Sequence, residues 1–525
     1  MTIKVEFSHS AALQQKILNG ANMLADFVSS TLGPRGRTVL LKEKGKPPFA
    51  TKDGVTCAQF IHLEDPFENA GASIIRQAAV ETNNTAGDGT TTSTVLARAI
   101  LCEAQKHIAS GASPVELQRG IDVGTREIVR ILKDLSNPVT STEEIEHVAT
   151  ISANNDAAIG KLIALAVDRV GQDGSITIEE SRTMDTVLDI TEGFRLNSGF
   201  CAGAFITDER RNTMLHNEPL FLITDYKLDS VEQILPVLEM VARESRPLII
   251  VAEDIEGQAL AALIMNSVRG SLKVAAIKAP NYGEERRNTL DDLSLSTGAT
   301  FINRESGAKL KDIRLTDLGT AKFVESTKTT TTIVGGNCNY EALESRIEAL
   351  KNLIGNTEDL KECARLQERI VRLSSGVAII RVGGSTEVEM TEKKHRIEDA
   401  LSAVRSAQEE GIIPGGGTAL LRAASILTVD AENREQSLGV DIVREACRAP
   451  IRQMAVNAGE SPDLLLARIE AETGNTGWDF RERKMVDMLT TGIIDPVKVT
   501  RAAIENAASC AGTLLTTNYG IIQTE

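Results

Sequence analysis

The two ends of this 525-residue chain share a pattern that its middle lacks. Residues 1–135 and 414–517 are rich in Ala and carry apolar residues at helical spacing. Between residues 193 and 278, short apolar runs alternate with helical segments, a pattern that predicts a domain with a central sheet. We therefore predict that the two ends form one helical domain and that the middle is inserted into it.

Individual elements follow from hydrophobic spacing and from breakers such as Gly33-Pro34. Helices are predicted at 11–32, 73–82, 90–110, 142–153, 157–170, 230–243, 257–269, 392–408 and 418–425, with a charged helical pair in 341–373 and a helix opened by Pro114. Strands are predicted at 37–41, 175–180, 220–224, 247–252, 274–278 and 377–382.

The composition argues against several classes of protein. Lys and Arg number 57 against 73 Asp and Glu, and the net charge of −16 disfavours a nucleic-acid binder. The sequence contains no apolar run long enough to span a bilayer and no secretory pattern at its start, so we expect a soluble, cytoplasmic protein without a membrane partner. The seven cysteines are irregularly spaced, which favours free thiols over zinc ligands or disulfides.

The string Gly-Asp-Gly-Thr-Thr-Thr at 87–92 lies directly before a predicted helix. Its glycines allow backbone to approach an anion, and the helix N-terminus offers unpaired N–H groups to phosphate. Asp88 would repel phosphate unless a cation lies between them, which suggests Mg²⁺. The alternative is an ordinary helix cap and turn. The string is not a Walker A loop, because Gly-Lys-Ser/Thr does not follow.

Further segments are ambiguous when read alone. The segment 31–37 is either a helix exit and turn or part of a site. Lys52-Asp53-Gly54 is either an ordinary turn or a segment that places a cation and a carboxylate in a site. The glycines 415–417 are either a flexible helix entry or an anion or ribose contact. Asp399 lies on an amphipathic helix, where a solvated face is the ordinary interpretation.

Together these strings resemble the group I (GroEL-type) chaperonins over nearly the whole chain, from about residue 4 to about residue 517. The matching strings are TLGPRGR, TKDGV, AGDGTTT, ISAN, VAEDIEG, SSGVAII, GGSTEVEM, EKKHRIEDAL, EEGIIPGGGTAL and GIIDPVKVTRAAIENAAS. Their joint occurrence in this order is highly specific.

The resemblance implies a multidomain chaperonin fold of α/β and all-α parts. Its domains would be a helical equatorial ATPase domain at 1–134 and 410–525, a small α+β intermediate domain at 135–191 and 377–409, and an α/β apical domain at 192–376. The implied function is ATP-dependent folding of non-native polypeptides inside a homo-oligomeric, heptameric ring closed by a co-chaperonin lid. The implied cofactors are ATP and Mg²⁺, with K⁺ as a further candidate cation.

The resemblance also implies roles for individual residues. Asp53 and Asp399 would be catalytic, and Asp88 would bind the metal; Asp399, on the intermediate segment, would reach the nucleotide only when that segment closes. The implied nucleotide-binding residues are Thr31, Leu32, Gly33, Pro34, Lys52, Asp88, Gly89, Thr90, Thr91, Thr92, Gly416, Asp479 and Asp495. The implied polypeptide- and lid-binding residues are Phe200, Ala204, Phe205, Leu235, Leu238, Leu260, Ile264 and Met265.

The chain departs from the family pattern at three places. Asp479-Phe480-Arg481 replaces a small-residue segment beside the adenine, and the apical entrance at 198–204 is altered. Where the family has acidic ring–ring partners for Arg452 and Lys106, this chain has Ser461 and Arg434, which predicts a weakly stacked double ring. These changes leave open an alternative, a divergent paralogue with weak ATPase activity that acts as a specialised binding protein. An unrelated metabolic kinase is a further alternative that no sequence feature favours.

Overall fold

The protein divides into two compact units, each with its own core. The structure is a computed structural model that describes residues 4–43, 45, 48–170, 175–181, 183–209, 211–305, 307–357, 360–374 and 376–524. The first unit contains residues 1–165, 180–185 and 382–525, so that it is built from both ends of the chain. The second unit contains residues 166–179 and 186–381.

The elements of the described residues are numbered in chain order. The helices are α1 Ser10–Ser29, α2 Gly54–Phe60, α3 Pro66–Ala86, α4 Thr90–Ala109, α5 Pro114–Asp134, α6 Thr142–Ser152, α7 Ala157–Val170, α8 Val231–Glu244, α9 Gly257–Val268, α10 Gly283–Thr297, α11 Tyr340–Asn356, α12 Leu360–Ser374, α13 Glu387–Glu410, α14 Thr418–Ile426, α15 Arg434–Ala446, α16 Ala449–Ala458, α17 Pro462–Glu470 and α18 Val497–Thr516. The strands are β1 Lys4–His9, β2 Val39–Leu41, β3 Phe49–Thr51, β4 Ser175–Glu180, β5 Val187–Leu196, β6 Met214–Asn217, β7 Leu220–Ile223, β8 Lys227–Leu228, β9 Leu248–Ala252, β10 Asp254–Ile255, β11 Val274–Lys278, β12 Gly319–Thr320, β13 Phe323–Ser326, β14 Thr331–Val334, β15 Gly376–Val382, β16 Ile412–Pro414, β17 Thr476–Asp479, β18 Lys484–Asp487, β19 Ile494–Pro496 and β20 Tyr519–Thr524.

The core of the first unit is a bundle of helices packed mainly through Ala, Leu and Ile. In it α1 packs on α3, α15 on α5, and α18 on α3, α4 and α5. Only 3% of the residues are aromatic, so few bulky side chains separate the helices. The helices approach one another closely at glycines. A Cβ built on Gly20 would lie 1.9 Å from the Glu68 carbonyl oxygen, and one on Gly120 would lie 2.1 Å from the Gln436 carbonyl oxygen. Substitution at either glycine would force the helix pair apart.

Local signals in the sequence explain where these helices begin. Asp65 accepts hydrogen bonds from the backbone N–H groups of Phe67 and Glu68, and Pro66 occupies the first turn, so α3 begins seven residues before the predicted 73. Pro114 opens α5 as predicted. Among the described residues, none of the helices is both long and apolar enough to cross a membrane.

Several strands of the first unit are absent from the sequence predictions. The chain ends pair as antiparallel strands, with His9 opposite Tyr519. The hairpin of β17 and β18 lies within the segment predicted to be helical, so that prediction is wrong there. Its turn lacks Asn-Gly; instead the Asp479 carboxylate accepts hydrogen bonds from the N–H groups of Arg481 and Glu482, and Arg483 adopts φ 56°.

The second unit has a sheet in its core, as the alternating pattern predicts. The strands β7, β9 and β11 are parallel, β12 joins antiparallel, and the order is β11-β9-β7-β12. Every residue of β7 and β9 is buried, which is the pattern of strands covered on both faces. A second sheet has the order β4-β15-β5-β14-β13-β6. The predicted bounds of β4, β11 and α7 agree with the structure.

Candidate functional site

A cavity of about 880 Å³ in the first unit contains every predicted nucleotide-site residue. This volume lies in the range of pockets that enclose nucleotide-sized ligands. The predicted residues that line it are Thr31, Leu32, Gly33, Pro34, Lys52, Asp53, Asp88, Gly89, Thr90, Thr91, Thr92, Asp399, Gly416, Asp479 and Asp495. Residues from distant parts of the sequence therefore meet in one place.

Three chain segments meet at Thr91 on one side of the cavity. The Thr91 hydroxyl lies 3.1 Å from that of Thr31, which follows the end of α1. A Cβ on Gly54, the first residue of α2, would lie 2.3 Å from Thr91 Oγ1 and 2.8 Å from Thr90 Oγ1. Glycine is therefore required at position 54 for the starts of α2 and α4 to approach this closely.

The start of α4 is open to an anion. Its N-cap residue is Gly89, at φ 83°, and no side chain among the described residues caps it. Asp88 does not cap the helix: its Oδ1 accepts from Gly89 N at 2.6 Å, and its Oδ2 accepts from Ser152 Oγ at 2.6 Å. The first-turn N–H groups of α4 stay available for a ligand, which favours an anion site over the helix-cap alternative.

The carboxylate of Asp88 repels those of Asp53 and Asp495, and a bound cation would relieve this repulsion. Burial raises the pKa of Asp88, and the charge of Asp53 raises it further. Burial and the charge of Asp88 raise the pKa of Asp495 to about 6. Among the described residues no group of three or more Asp, Glu, His or Cys side chains forms a complete metal cage. Mg²⁺ typically takes one or two carboxylates and completes its shell with phosphate oxygens and water, so these donors fit a nucleotide-bound Mg²⁺.

One face of α13 forms another wall of the cavity. Thr391, His395 and Asp399 follow at intervals of four residues, so they lie on the same side of the helix. Burial, followed by the charge of Arg396, lowers the pKa of Lys52 on the facing segment. Arg396 also forms an ion pair with Asp156, at 3.2 Å. The structure thus places Asp399 in the same cavity as Asp53 and Asp88.

Two buried aromatic residues line the cavity near β17, next to the charged residues Asp479, Arg481 and Glu482. Trp478 and Phe480 are 8% and 3% exposed and pack with Ile451 and Leu466. The Phe480 ring is therefore part of the wall, and it neither fills the cavity nor presents an open face for stacking. Oδ1 of Asp479 accepts both hydrogen bonds of the hairpin turn, so a nucleotide contact from this residue would come from Oδ2 or from its backbone.

Some residues that line the cavity were not singled out by sequence reasoning. They include His147, Ser152, Trp478 and Met454. Ser152 lies within the ISAN string at 151–154, which is the only sequence signal that marks it. The others come from segments with no motif, so that only the fold identifies them.

A comparison with known proteins identifies the family of this chain. The model of the TCP-1/cpn60 chaperonin family matches residues 24–525. The chain belongs to the chaperonin family. Among solved structures, it is similar to the chaperonin gp146 from bacteriophage EL 2 (Pseudomonas aeruginosa), which was crystallised in the presence of ATP-BeFx. The two share 20% sequence identity and a TM-score of 0.68 over 100% of each chain, which confirms the predicted chaperonin fold.

In the second unit of this chaperonin, the predicted polypeptide-binding residues differ in exposure. Leu235 and Met265 are 45% and 48% exposed, and Ala204 is also exposed. Phe200, Leu260 and Ile264 are half-buried. Phe205 and Leu238 are 1% and 6% exposed and belong to the core, so a surface contact made by this conformation would not include their side chains.

The raised pKa of Asp495 predicts a pH dependence of stability in the ligand-free chaperonin. The pKa of Asp in an unfolded chain is about 3.9, whereas the pKa of folded Asp495 is about 6. Between these values the unfolded chain binds fewer protons, so stability falls as pH rises through this window. We expect wild type to lose thermal stability relative to Asp495→Asn as pH rises from 4.5 to 7, because Asn cannot ionise. The thermal midpoint of the variant minus that of wild type should therefore increase over this range. A difference that does not change with pH would contradict the assignment.

Proposed function

We propose that this chaperonin is an ATP-hydrolysing chaperone that binds non-native polypeptides. The observation that carries the proposal is one cavity of about 880 Å³, which is lined both by an uncapped helix N-terminus and by half-buried carboxylates. Anion binding at the start of α4 and cation binding at Asp88 are the two requirements of an Mg²⁺-nucleotide site. That gp146 was crystallised in the presence of ATP-BeFx adds support for the nature of the ligand.

The protein groups would act by positioning and by charge. The N–H groups and hydroxyls of Thr90 and Thr91 would bind phosphate oxygens, and Lys52 would add positive charge. Asp399 and Asp53 would orient the attacking water and accept its proton. Mg²⁺, held by Asp88, would supply charge neutralisation at the phosphates. K⁺ would be a further cation near the phosphates.

We assign the three domains of the resemblance to the two units as follows. The equatorial segments 1–134 and 410–525 lie in the first unit, together with residues 135–165 and 382–409 of the proposed intermediate domain. The apical segment 192–376 lies in the second unit. Asp399 would thus act from an intermediate segment that closes over the nucleotide.

The exposed parts of α8 and α9 are the proposed polypeptide-binding surface, which would also receive a co-chaperonin lid. Leu235 on α8 and Met265 and Val268 on α9 are exposed apolar side chains, and Leu260 and Ile264 are half-buried beside them in sequence. Exposed apolar residues on helices match the general chemistry of binding to unfolded chains. Methionine is well suited to contacts with varied partners because its side chain is flexible.

We further propose a heptameric ring whose stacking into a double ring is weak. Arg452 forms ion pairs within its own chain, with Glu445 and, at 3.4 Å, with Asp463. Lys106 pairs with Glu103 in its own helix. Because Arg452 and Lys106 already form ion pairs within their own chain, further ion pairs with a second ring would stabilise the stacked rings less. The same departures favour the second candidate, a chaperonin with weak ATPase activity that serves as a binding protein.

The double variant Leu235→Ser/Met265→Ser tests the polypeptide-binding surface. We expect it to capture a denatured reporter enzyme at least about 30-fold less well than wild type, because each side chain gives about 1–2 kcal/mol when buried by a client and the two losses add. ATP hydrolysis should be unchanged. Light scattering of the aggregating reporter measures capture, and the addition of ATP measures release.

A matched control is Leu215→Ser, which removes an exposed apolar side chain from β6, in the other sheet of the second unit. It should capture the reporter as wild type does. Equal loss in both variants would show that general surface hydrophobicity accounts for binding, and the assignment of α8 and α9 would fail.

A further inference from the structure

A hydroxyl on α6 contacts the carboxylate that is proposed to hold the metal. Ser152 Oγ donates to Asp88 Oδ2 at 2.6 Å, across 64 residues of sequence. Asp88 Oδ1 accepts from Gly89 N at the same distance. A carboxylate has about four lone-pair positions, so two accepted hydrogen bonds leave positions free for a cation.

The position of Ser152 is tightly defined by its surroundings. It is the last residue of α6, and the chain after it turns sharply through Asn154 and Asn155, at φ 58° and 64°. The N–H of Asn155 donates to the Thr150 carbonyl at 2.8 Å. Asp156 then caps the start of α7 and pairs with Arg396 of α13. These contacts fix the backbone at the end of α6, from which the Ser152 hydroxyl reaches Asp88.

The direction of this hydrogen bond is unusual for a serine at a helix end. Such a hydroxyl commonly donates to a carbonyl of its own last turn. Here it donates to the half-buried carboxylate of Asp88, which interacts with the charges of Asp53 and Asp495. Charge-assisted hydrogen bonds are roughly twice as strong as neutral ones, and they restrict the orientation of the carboxylate.

We propose that Ser152 is a positioning residue that orients Asp88 for Mg²⁺ and thereby sets the affinity of the site for the metal. The inference rests on the proposed nucleotide function and adds to it a specific contribution from α6. Groups that hydrogen-bond to a metal ligand fix its orientation and typically contribute 10–100-fold to metal affinity. Ser152 contacts Asp88, and Asp156, four residues later, pairs with Arg396 of α13, so the chain at the end of α6 connects the proposed metal ligand to the helix that carries Asp399.

The test uses Mn²⁺ as the probe in the presence of ADP and the full-length protein. Free Mn²⁺ is measured by its electron paramagnetic resonance signal. We expect Ser152→Ala to bind Mn²⁺ about tenfold or more weakly than wild type, and Ser152→Thr, which keeps the hydroxyl, to bind within about twofold of wild type. The control Ser141→Ala removes the cap at the other end of α6, where Ser141 accepts from Glu144 N at 3.2 Å, and should bind Mn²⁺ normally.

Different outcomes distinguish failure of this inference from failure of the proposed function. If wild type binds no Mn²⁺ with ADP, the nucleotide site itself is contradicted, and the role of Ser152 with it. If wild type binds and Ser152→Ala binds equally or more tightly, the positioning role is overturned. A weakened Ser152→Thr, or a Ser141→Ala as weak as Ser152→Ala, would also overturn it, because the loss would then come from the stability of α6.

Discussion

Replacing Asp399 with Ala will lower the rate of ATP hydrolysis by about 100-fold or more while nucleotide binding stays close to that of wild type. Asp399 reaches the cavity from α13, opposite the segments that would hold the phosphates. A carboxylate that orients water and accepts its proton contributes about 10²–10⁴-fold to a reaction. The phosphate and metal contacts come from other segments, so binding should survive the substitution.

Steady-state ATPase activity measures the first effect, and fluorescence of Trp478 measures the second. Trp478 is the one tryptophan of the sequence and lines the cavity, which makes it a built-in reporter of nucleotide. The control is Glu409→Ala, on the same helix, where the carboxylate is 58% exposed and outside the cavity lining. If wild type turns over no faster than Asp399→Ala, the enzyme proposal fails and the binding-protein alternative gains support.

The helices and central strands were predictable because their signals are local. The stripe of α1, the N-terminal Pro of α5 and the apolar run of β11 each lie within one element. The terminal strands β1 and β20 were not predictable in this way, because each exists through a partner some 500 residues away in sequence. The β17–β18 hairpin was not predicted because its turn lacks the glycine that usually marks such a turn, and the Asp479 carboxylate stabilises the turn instead.

The candidate site also contains residues that local sequence predicts and residues that only the packing of the fold identifies. Its glycine strings are visible in sequence because close approach to phosphate and tight helix contacts demand glycine, as Gly54 illustrates. The hydroxyl of Ser152 and the ring of Trp478 carry no such requirement, since Ser and Trp fit many other places equally well. Their inclusion depends on how α6 and β17 pack, which is a property of the whole first unit. The family resemblance identified the residues on the phosphate side but not this support behind Asp88.

In the second unit, Asp292→Ala will strongly destabilise the packing of α11 and α12 against α10. The Asp292 carboxylate is 3% exposed and accepts two hydrogen bonds of 2.9 Å from Arg369, on α12. It also receives Arg346 of α11 at 3.2 Å. A single buried carboxylate on α10 thus holds both helices. Breaking a buried ion pair costs about 3–5 kcal/mol, because the remaining charge loses its partner.

We expect a loss of about 3 kcal/mol, the lower end of that range, because both arginines retain some solvent exposure and can rehydrate. Hydrogen exchange of the full-length protein measures the free energy of local opening in α11 and α12 without requiring the whole chain to unfold in one step. The control is Asp291→Ala, one residue away, whose carboxylate is 43% exposed and pairs with the same Arg346. Exposed pairs contribute about 0–1 kcal/mol, so equal effects at 291 and 292 would show that burial does not decide the strength of this contact.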